Sequence, residues 1–183
     1  YRARSSAVEG GGSAKFTIVD GAGLPSYEAR RSRADVTGSV SRLSPYLRFG
    51  ELSPRQVLHR VQDALGKRAP PTFLRRLAWR DLAYWALWRF PHLPDRSFRP
   101  HYDRQPWAAD AGGKLFEAWC AARTGYPLVD ACMRSLGATG TLSPQGRLIA
   151  ASFLVNHLGL SWRLGALCFE SMLRDYAPAI TWG

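Results

Sequence analysis

The helical spacing of apolar residues after Ser41 is the feature that most constrains the fold of this chain. Two Ser-Pro pairs, Ser53-Pro54 and Ser143-Pro144, each stand directly before such a stretch. A serine at the N-cap accepts a hydrogen bond from a backbone N–H of the first turn, and proline suits the first helical position. The alternating pattern of strands is nearly absent after residue 20. The sequence therefore predicts an all-α fold of about six helices.

The boundaries of most predicted helices can be read from caps and breakers. The first runs from Pro54 and ends at Gly66, and Thr72 is the expected N-cap of the second. The second helix, residues 73–90, is apolar almost all round, so we expect it to be central. The remaining helices are expected at 114–123, from Pro127 onwards, at 147–157 and at 162–174.

The first part of the chain differs from the rest. Residues 1–35 contain EGGGS and the arginine-rich YEARRSRAD, with no sustained apolar period apart from the short FTIVD. We expect this part to be a flexible lead-in or the end of an upstream domain, and residues 36–183 to form one helical domain. Because the first residue is Tyr, the chain is expected to be a fragment of a longer protein.

The charge of the chain favours a polyanionic partner. The net charge is +11, and all but three of the 25 basic residues are arginine. The planar guanidinium group binds phosphate in a bidentate manner. The alternative is that these arginines form solvated faces with no partner.

Several other classes of protein lack support in the sequence. Cys120, Cys132 and Cys168 lie far apart without a CxxC pair, and the histidines are scattered, so no metal site is expected. The glycine-rich nucleotide loops and the GxSxG motif are absent. No signal peptide and no apolar run long enough for a bilayer is present, so we expect an intracellular protein without membrane association. Nucleus, chloroplast and cytoplasm are not distinguished.

Charged residues in apolar surroundings need partners. Arg80 lies in the apolar second helix, Arg147 stands at the start of another, and Asp175 follows the last predicted helix. One interpretation is that Arg147 and Asp175 form a structural ion pair. The other is that Arg80 binds an anionic cofactor group while Arg147 and Asp175 shape the pocket. The seven tryptophans likewise fill a core or relay electrons to a redox cofactor.

Four long stretches then occur in a fixed order: SRLSPYLRFGELSPRQ, LAWRDLAYW, RTGYPLVDACMR and RLIAASFLVNHLGLSWRLGALCF. Together they resemble the helical FAD-binding domain of the DNA photolyase and cryptochrome family, in a truncated, plant-type-like form. The resemblance covers roughly Tyr27 to Asp175. It implies an all-α flavin domain that is incomplete at its C-terminus, with FAD as the cofactor.

The resemblance also implies roles for individual residues. The flavin diphosphate would be bound by Ser41, Leu43, Ser44 and Arg80, with Tyr27 in an upstream part of the pocket. Arg147 and Asp175 match the ion pair beside the isoalloxazine ring. Trp119 and Trp162 match two members of the electron-transfer chain, and Trp79 matches a substrate-side tryptophan.

The implied activity is light-driven repair of pyrimidine dimers in DNA, a carbon–carbon lyase reaction in which reduced flavin donates an electron to a flipped dimer. DNA is the implied partner, and we expect a monomer. The chain departs from the family where Arg76 replaces a glutamate that contacts the dimer. It also departs at Pro144, Gln145, Ala177 and Thr181. The alternatives are a light sensor or nucleic-acid-binding module without repair, and a degenerate fragment without flavin.

Overall fold

The computed structural model describes residues 24, 26–33, 40–110 and 113–182. Throughout these ranges every regular element is helical and none is a strand, which confirms the predicted all-α class. The α-helices are α1 (Tyr27–Arg30), α2 (Ser44–Arg48), α3 (Pro54–Leu65), α4 (Pro71–Arg89), α5 (Lys114–Cys120), α6 (Pro127–Thr139), α7 (Pro144–Ser152), α8 (Trp162–Met172) and α9 (Pro178–Trp182). Short 3-10 helices span Gly66–Arg68 and Pro100–Arg104.

The chain forms two compact units. One comprises the described residues within 1–31 and 36–77, and the other those within 32–35 and 78–183. The boundary therefore falls inside α4, after Leu77. Residues 1–23, with most of the predicted lead-in and the FTIVD stretch, lie outside the described residues, so a domain boundary at residue 35 stays a prediction.

Each unit has its own apolar core. The core of the first is built from Leu24, Tyr27, Leu43, Leu52, Val57, Val61 and Phe73. The core of the second surrounds Trp119, which is fully buried, and includes Val129, Met133, Leu136, Ala150, Phe153, Leu154 and Leu160. Burial of such side chains is the main favourable contribution to folding, at about 1.5–3 kcal/mol for each large aliphatic residue.

The predicted caps position the helices as expected. The side chain of Ser53 accepts from the backbone N–H of Gln56 (3.1 Å), while the Gln56 side chain accepts from the Ser53 N–H (2.9 Å). Ser143 accepts from the Gly146 N–H (3.1 Å) at the start of α7. Ser53-Pro54 and Ser143-Pro144 therefore begin helices for the reason that the sequence suggested.

The last predicted helices differ in detail from the structure. α7 ends at Ser152 and continues as a π-helical turn, Phe153–His157, in which the Leu158 N–H reaches the Phe153 carbonyl (3.1 Å). A hydrogen bond to the fifth preceding residue, in place of the fourth, encloses one more residue than an α-helical turn does. A single turn of this kind is too short to show an apolar period in the sequence. α8 ends at Met172, and the short helix α9 was not predicted.

The prediction that the second helix is central is wrong for the described residues. Only Phe73 of α4 is buried, whereas Trp79, Leu82, Tyr84, Trp85 and Trp88 are exposed. The helix also begins at Pro71, before the expected cap Thr72, whose N–H donates to the Glu28 carboxylate (2.7 Å). In the part of the chain that the structure describes, no helix is long and apolar enough to span a membrane.

Asp130 holds the loop that leads into α6. Its carboxylate accepts hydrogen bonds from the backbone N–H and the hydroxyl of Thr124 (2.9 and 2.6 Å) and from the Gly125 N–H (3.1 Å). The hydrogen bond from the Thr124 hydroxyl, with the backbone bonds, lowers the pKa of Asp130 below its ordinary value. The RTGYPLVD stretch is therefore a fixed turn around one carboxylate.

The importance of the second core can be tested by one substitution made at two positions of α6. Leu136 is fully buried, whereas Leu128 is 56% exposed. We expect Leu136→Ala to lower the free energy of unfolding by about 2–5 kcal/mol because it leaves a cavity in the core. Leu128→Ala, the matched control, should change it by less than about 1 kcal/mol. Chemical denaturation followed by circular dichroism measures both, and equal losses would contradict the assigned core.

Candidate functional site

The predicted cofactor residues are divided between the two units. Tyr27, Ser41, Leu43 and Ser44 belong to the first, and Arg80, Arg147 and Asp175 belong to the second. The positions of these residues are described relative to one another only within each unit. A single cradle formed by both groups stays a prediction.

The loop before α2 has an unusual backbone. Arg42 lies in the left-handed region (φ 53°), which costs a residue other than glycine about 1–2 kcal/mol. The next residue, Leu43, is buried in the first core, and its carbonyl accepts from the Leu47 N–H (3.0 Å). Ser41 is half-buried and Ser44, the first residue of α2, is exposed. Burial of Leu43 therefore offsets the strain and fixes a loop that carries two hydroxyl groups.

Tyr27 has a partner that the sequence did not suggest. Its ring is buried and nearly perpendicular to that of Phe73 (centroids 5.5 Å apart), and its hydroxyl accepts a hydrogen bond from Nη1 of Arg76 (2.9 Å). The Arg76 guanidinium also lies 6.0 Å from the centroid of the tyrosine ring. Arginine offers only donors, whereas the glutamate expected at this position offers acceptors. The departure at residue 76 therefore changes the hydrogen bonding of a predicted cofactor residue as well.

Arg80 and Trp79 lie side by side on α4 with different surroundings. Nη2 of Arg80 donates to the Tyr84 hydroxyl (3.2 Å), and its guanidinium lies 5.1 Å from the Tyr84 ring centroid. This arrangement orients Arg80 from the next turn of its own helix. Trp79 is 64% exposed. Its indole surface is therefore accessible in this unit, as a residue for substrate contact needs to be.

Arg147 and Asp175 form the ion pair that the sequence suggested. Nη2 of Arg147 lies 2.9 Å from Oδ1 and 2.8 Å from Oδ2 of Asp175, and Nε donates to the Leu142 carbonyl (3.1 Å). The Asp175 side chain is only 4% exposed, whereas that of Arg147 is 31% exposed. The carboxylate is thus held inside the fold by a cation that still reaches solvent. Among the described residues, Nη1 of Arg147 has no hydrogen-bond acceptor.

Trp119, the first predicted electron-transfer residue, is enclosed by other aromatic rings. Its Nε1–H donates to the Ala150 carbonyl (3.0 Å), and its ring centroid lies 6.1 Å from that of Phe116 and 5.7 Å from that of Phe169. The indole is therefore fully buried, and its one hydrogen-bond donor has an acceptor.

Trp162, the second of these residues, contacts a tryptophan that the sequence analysis did not single out. The ring centroids of Trp162 and Trp182 lie 5.5 Å apart, and Nε1 of Trp182 donates to the Tyr176 hydroxyl (2.9 Å). The Arg163 guanidinium lies 4.9 Å from the Trp162 ring. Pro178, the first residue of α9, is the sequence signal that could have indicated a short helix carrying Trp182.

The coupling between Arg147 and Asp175 can be measured with a double-mutant cycle. We expect Arg147→Met and Asp175→Asn to show a coupling energy of about 1–3 kcal/mol, because each single change leaves its partner without a counterion in partly buried surroundings. Chemical denaturation of the four proteins gives this value. The more exposed pair Arg31–Glu28 (3.5 Å) is the control and should couple more weakly. Additive effects of the Arg147 and Asp175 changes would contradict a direct ion pair.

Comparison with known proteins matches residues 73–183 to a family model described as the FAD binding domain of DNA photolyase. The chain is 43% identical over 157 residues to a deoxyribodipyrimidine photo-lyase of Thermus thermophilus, and the match covers 86% of this chain and 36% of that enzyme.

Solved structures give the same result. A Synechocystis cryptochrome superimposes with a TM-score of 0.83 at 34% identity, over 93% of this chain and 36% of the other. An archaeal photolyase from Sulfolobus tokodaii, solved with two FAD molecules, gives 0.79 at 33% identity over 93% and 37%. The chain thus spans about a third of the length of these relatives. The family model covers more than half of the chain. As the sequence motifs predicted, this protein belongs to the DNA photolyase and cryptochrome family through its FAD-binding domain.

Proposed function

We propose that this chain binds FAD and takes part in the light-driven repair of pyrimidine dimers in DNA. The observation that carries the proposal is the Arg147–Asp175 ion pair, which lies in the matched FAD-binding domain and joins the two residues expected beside the isoalloxazine ring. Bound FAD would supply the absorption of light and the one-electron chemistry.

The donor chemistry of Arg147 fits such a ring. Asp175 and the Leu142 carbonyl occupy Nη2 and Nε and so fix the plane of the guanidinium. Nη1 has no acceptor among the described residues, so its hydrogen-bond donors remain for a ligand, and the Arg147 side chain is partly exposed. The isoalloxazine ring offers carbonyl and nitrogen acceptors, and negative charge on the reduced ring would be stabilised by a nearby cation. Asp175 would act by orienting Arg147.

The other predicted cofactor residues have chemistry suited to a diphosphate. Ser41, on the loop before α2, and Ser44, the first residue of α2, carry hydroxyl groups, and Arg80 presents a guanidinium oriented by Tyr84. Hydroxyl, backbone N–H and guanidinium groups are the usual partners of phosphate oxygens. This chemistry supports the role that the family resemblance gives them.

The tryptophans support a path for electrons. Trp119 is fully buried and donates to a neutral carbonyl. These surroundings restrict the rearrangement of neighbouring dipoles when the indole gains or loses an electron. The cation of Arg163 beside Trp162 raises the electrostatic cost of a positive charge on that indole. Trp182, in contact with Trp162 and hydrogen-bonded to Tyr176, is then the more favourable place for such a charge.

DNA is the partner that the charge of the chain supports. A net charge of +11 favours binding to phosphates and release of their counterions. The exposed indole of Trp79 beside Arg80 offers a surface on which an extruded base can stack. We place the protein inside the cell on the same ground, since DNA is found there.

The Arg76–Tyr27 contact favours a second function, a light-responsive flavoprotein without repair. A pyrimidine dimer offers carbonyl acceptors and N–H donors, and Arg76 can meet only the acceptors. Because the Arg76 side chain already donates to Tyr27, it has a structural use that needs no lesion. FAD binding is common to both functions, whereas selective binding of damaged DNA belongs to the first alone.

The role of Arg80 in binding FAD can be tested by Arg80→Ala. Hydrogen bonds to charged groups contribute about 1.5–3 kcal/mol, so the Kd for FAD should rise about 10–100-fold while the helical circular dichroism stays unchanged. Absorbance of the desalted protein in the blue and titration with FAD measure the effect. Arg89→Ala, an exposed change on the same helix, is the matched control and should leave the Kd unaltered. An Arg80→Ala protein that retains FAD like the wild type would contradict this role.

The two functions can be separated with Arg76→Glu. Glutamate restores an acceptor, so we expect tighter binding to DNA containing a pyrimidine dimer relative to undamaged DNA, by about tenfold. Arg75→Glu makes the same change of charge at the neighbouring, exposed position and controls for general repulsion from DNA. Fluorescence anisotropy with paired oligonucleotides gives both ratios. A ratio that stays the same in both variants counts against residue 76 as the lesion contact.

A further inference from the structure

Two cysteines that the proposed function does not use lie in direct contact. Sγ of Cys120, the last residue of α5, is 3.2 Å from Sγ of Cys168 in α8. An S–S bond is about 2.05 Å long, so the two sulfur atoms are roughly 1 Å from bonding distance. A third sulfur atom, Sδ of Met172, lies 3.5 Å from Sγ of Cys168.

The core of the second unit fixes these two thiols. Trp119 precedes Cys120 in α5, and Phe169 follows Cys168 in α8; their rings lie 5.7 Å apart. The rings next to both cysteines are thus packed against each other, which restricts separation of the sulfur atoms. Cys168 is buried, whereas Cys120 is only partly buried. A small reagent therefore reaches Cys120 first.

The contact also makes the two thiols unequal. In the structure Sγ of Cys120 donates to Sγ of Cys168. Once Cys120 is ionised, the Cys168 thiol can donate to the thiolate instead, and this hydrogen bond lowers the pKa of Cys120 below its ordinary value. The same hydrogen bond, with burial, raises the pKa of Cys168. Cys132 in α6 has its thiol pKa raised by burial. Since the thiolate is the nucleophile, Cys120 is the most reactive of the three cysteines.

We propose that Cys120 and Cys168 are an oxidisable pair that forms an intramolecular disulfide on exposure to hydrogen peroxide. The Cys120 thiolate attacks one peroxide oxygen, the O–O bond breaks, and the departing hydroxide takes up a proton to give water, leaving a sulfenic acid on Cys120. The Cys168 sulfur then attacks the Cys120 sulfur. The S–O bond breaks, and the hydroxyl group leaves with the Cys168 proton as a second water. Two thiols and one peroxide thus become one disulfide and two waters.

The disulfide would join α5 and α8, the helices that carry the two predicted electron-transfer tryptophans. Cys120 directly follows Trp119, and α8 begins with Trp162. The pair is 48 residues apart, so the bond would restrict the unfolded chain as well as join the C-terminal end of α5 to α8. The midpoint of chemical denaturation should therefore rise on oxidation and fall back after reduction.

The test is a count of thiols after treatment with peroxide. The purified chain is incubated with hydrogen peroxide, denatured and alkylated, and its intact mass is measured by mass spectrometry. Peptide mapping without reduction then identifies the linked cysteines. We expect one alkylated thiol, at Cys132, a peptide pair linking Cys120 to Cys168, and three alkylated thiols after dithiothreitol.

Two substitutions distinguish the pair from general oxidation. Cys132→Ser should form the same disulfide and leave no thiol to alkylate. Cys120→Ser, at the partly exposed helix end, should leave both Cys132 and Cys168 alkylatable and slow the loss of thiols about tenfold. Three alkylated thiols in the treated wild type, disulfide-linked dimers in place of the internal link, or equal loss of thiols in Cys120→Ser would each overturn the proposal.

Discussion

The ion pair between Arg147 and Asp175 is the interaction on which the candidate site depends. Removing a carboxylate from water is costly, and a partner with two short contacts offsets that cost. The pair joins the first turn of α7 to the segment after α8, so the chain between them is held at both ends. The structural and functional interpretations of this pair are therefore compatible, since the contact that secures the segment leaves Nη1 of Arg147 without an acceptor among the residues that the structure describes.

The tryptophans likewise combine a structural role with the one proposed for them. Trp119 fills the second core, yet its one polar atom is satisfied by a backbone carbonyl, so a neutral and dry indole is kept in a fixed position. Trp162 has a cation on one side and Trp182 as a ring neighbour. Arg163 is itself bound to the Asp95 carbonyl and lies 3.7 Å from the Asp103 carboxylate. Its charge beside Trp162 is thus partly balanced by the loop that precedes α5.

The local signals of the sequence predicted the features that are themselves local. Ser53 and Ser143 cap helices because cap chemistry needs only three neighbouring residues. The pairing of Arg147 with Asp175 followed from the cost of charge in apolar surroundings. The exposure of Trp79 and Trp88, the contact of Arg76 with Tyr27 and the approach of Cys120 to Cys168 depend on which elements pack together. Spacing along the chain does not show which distant residues come into contact. An apolar pattern indicates that a helix can pack against another element, but it does not identify that element.

The two functions proposed for this chain differ in what they require of the hydrogen bonding at residue 76. The carboxylate of a glutamate at position 76 would offer only acceptors, whereas Arg76 is a donor and the Tyr27 hydroxyl accepts from it. The arginine also brings a positive charge to within 6.0 Å of the centroid of a buried ring. The Arg76 side chain and the Tyr27 hydroxyl thus satisfy each other's hydrogen bonding within the fold. The Arg147–Asp175 pair that the family resemblance places beside the flavin is therefore present, whereas residue 76, which the resemblance places against the lesion, donates to Tyr27.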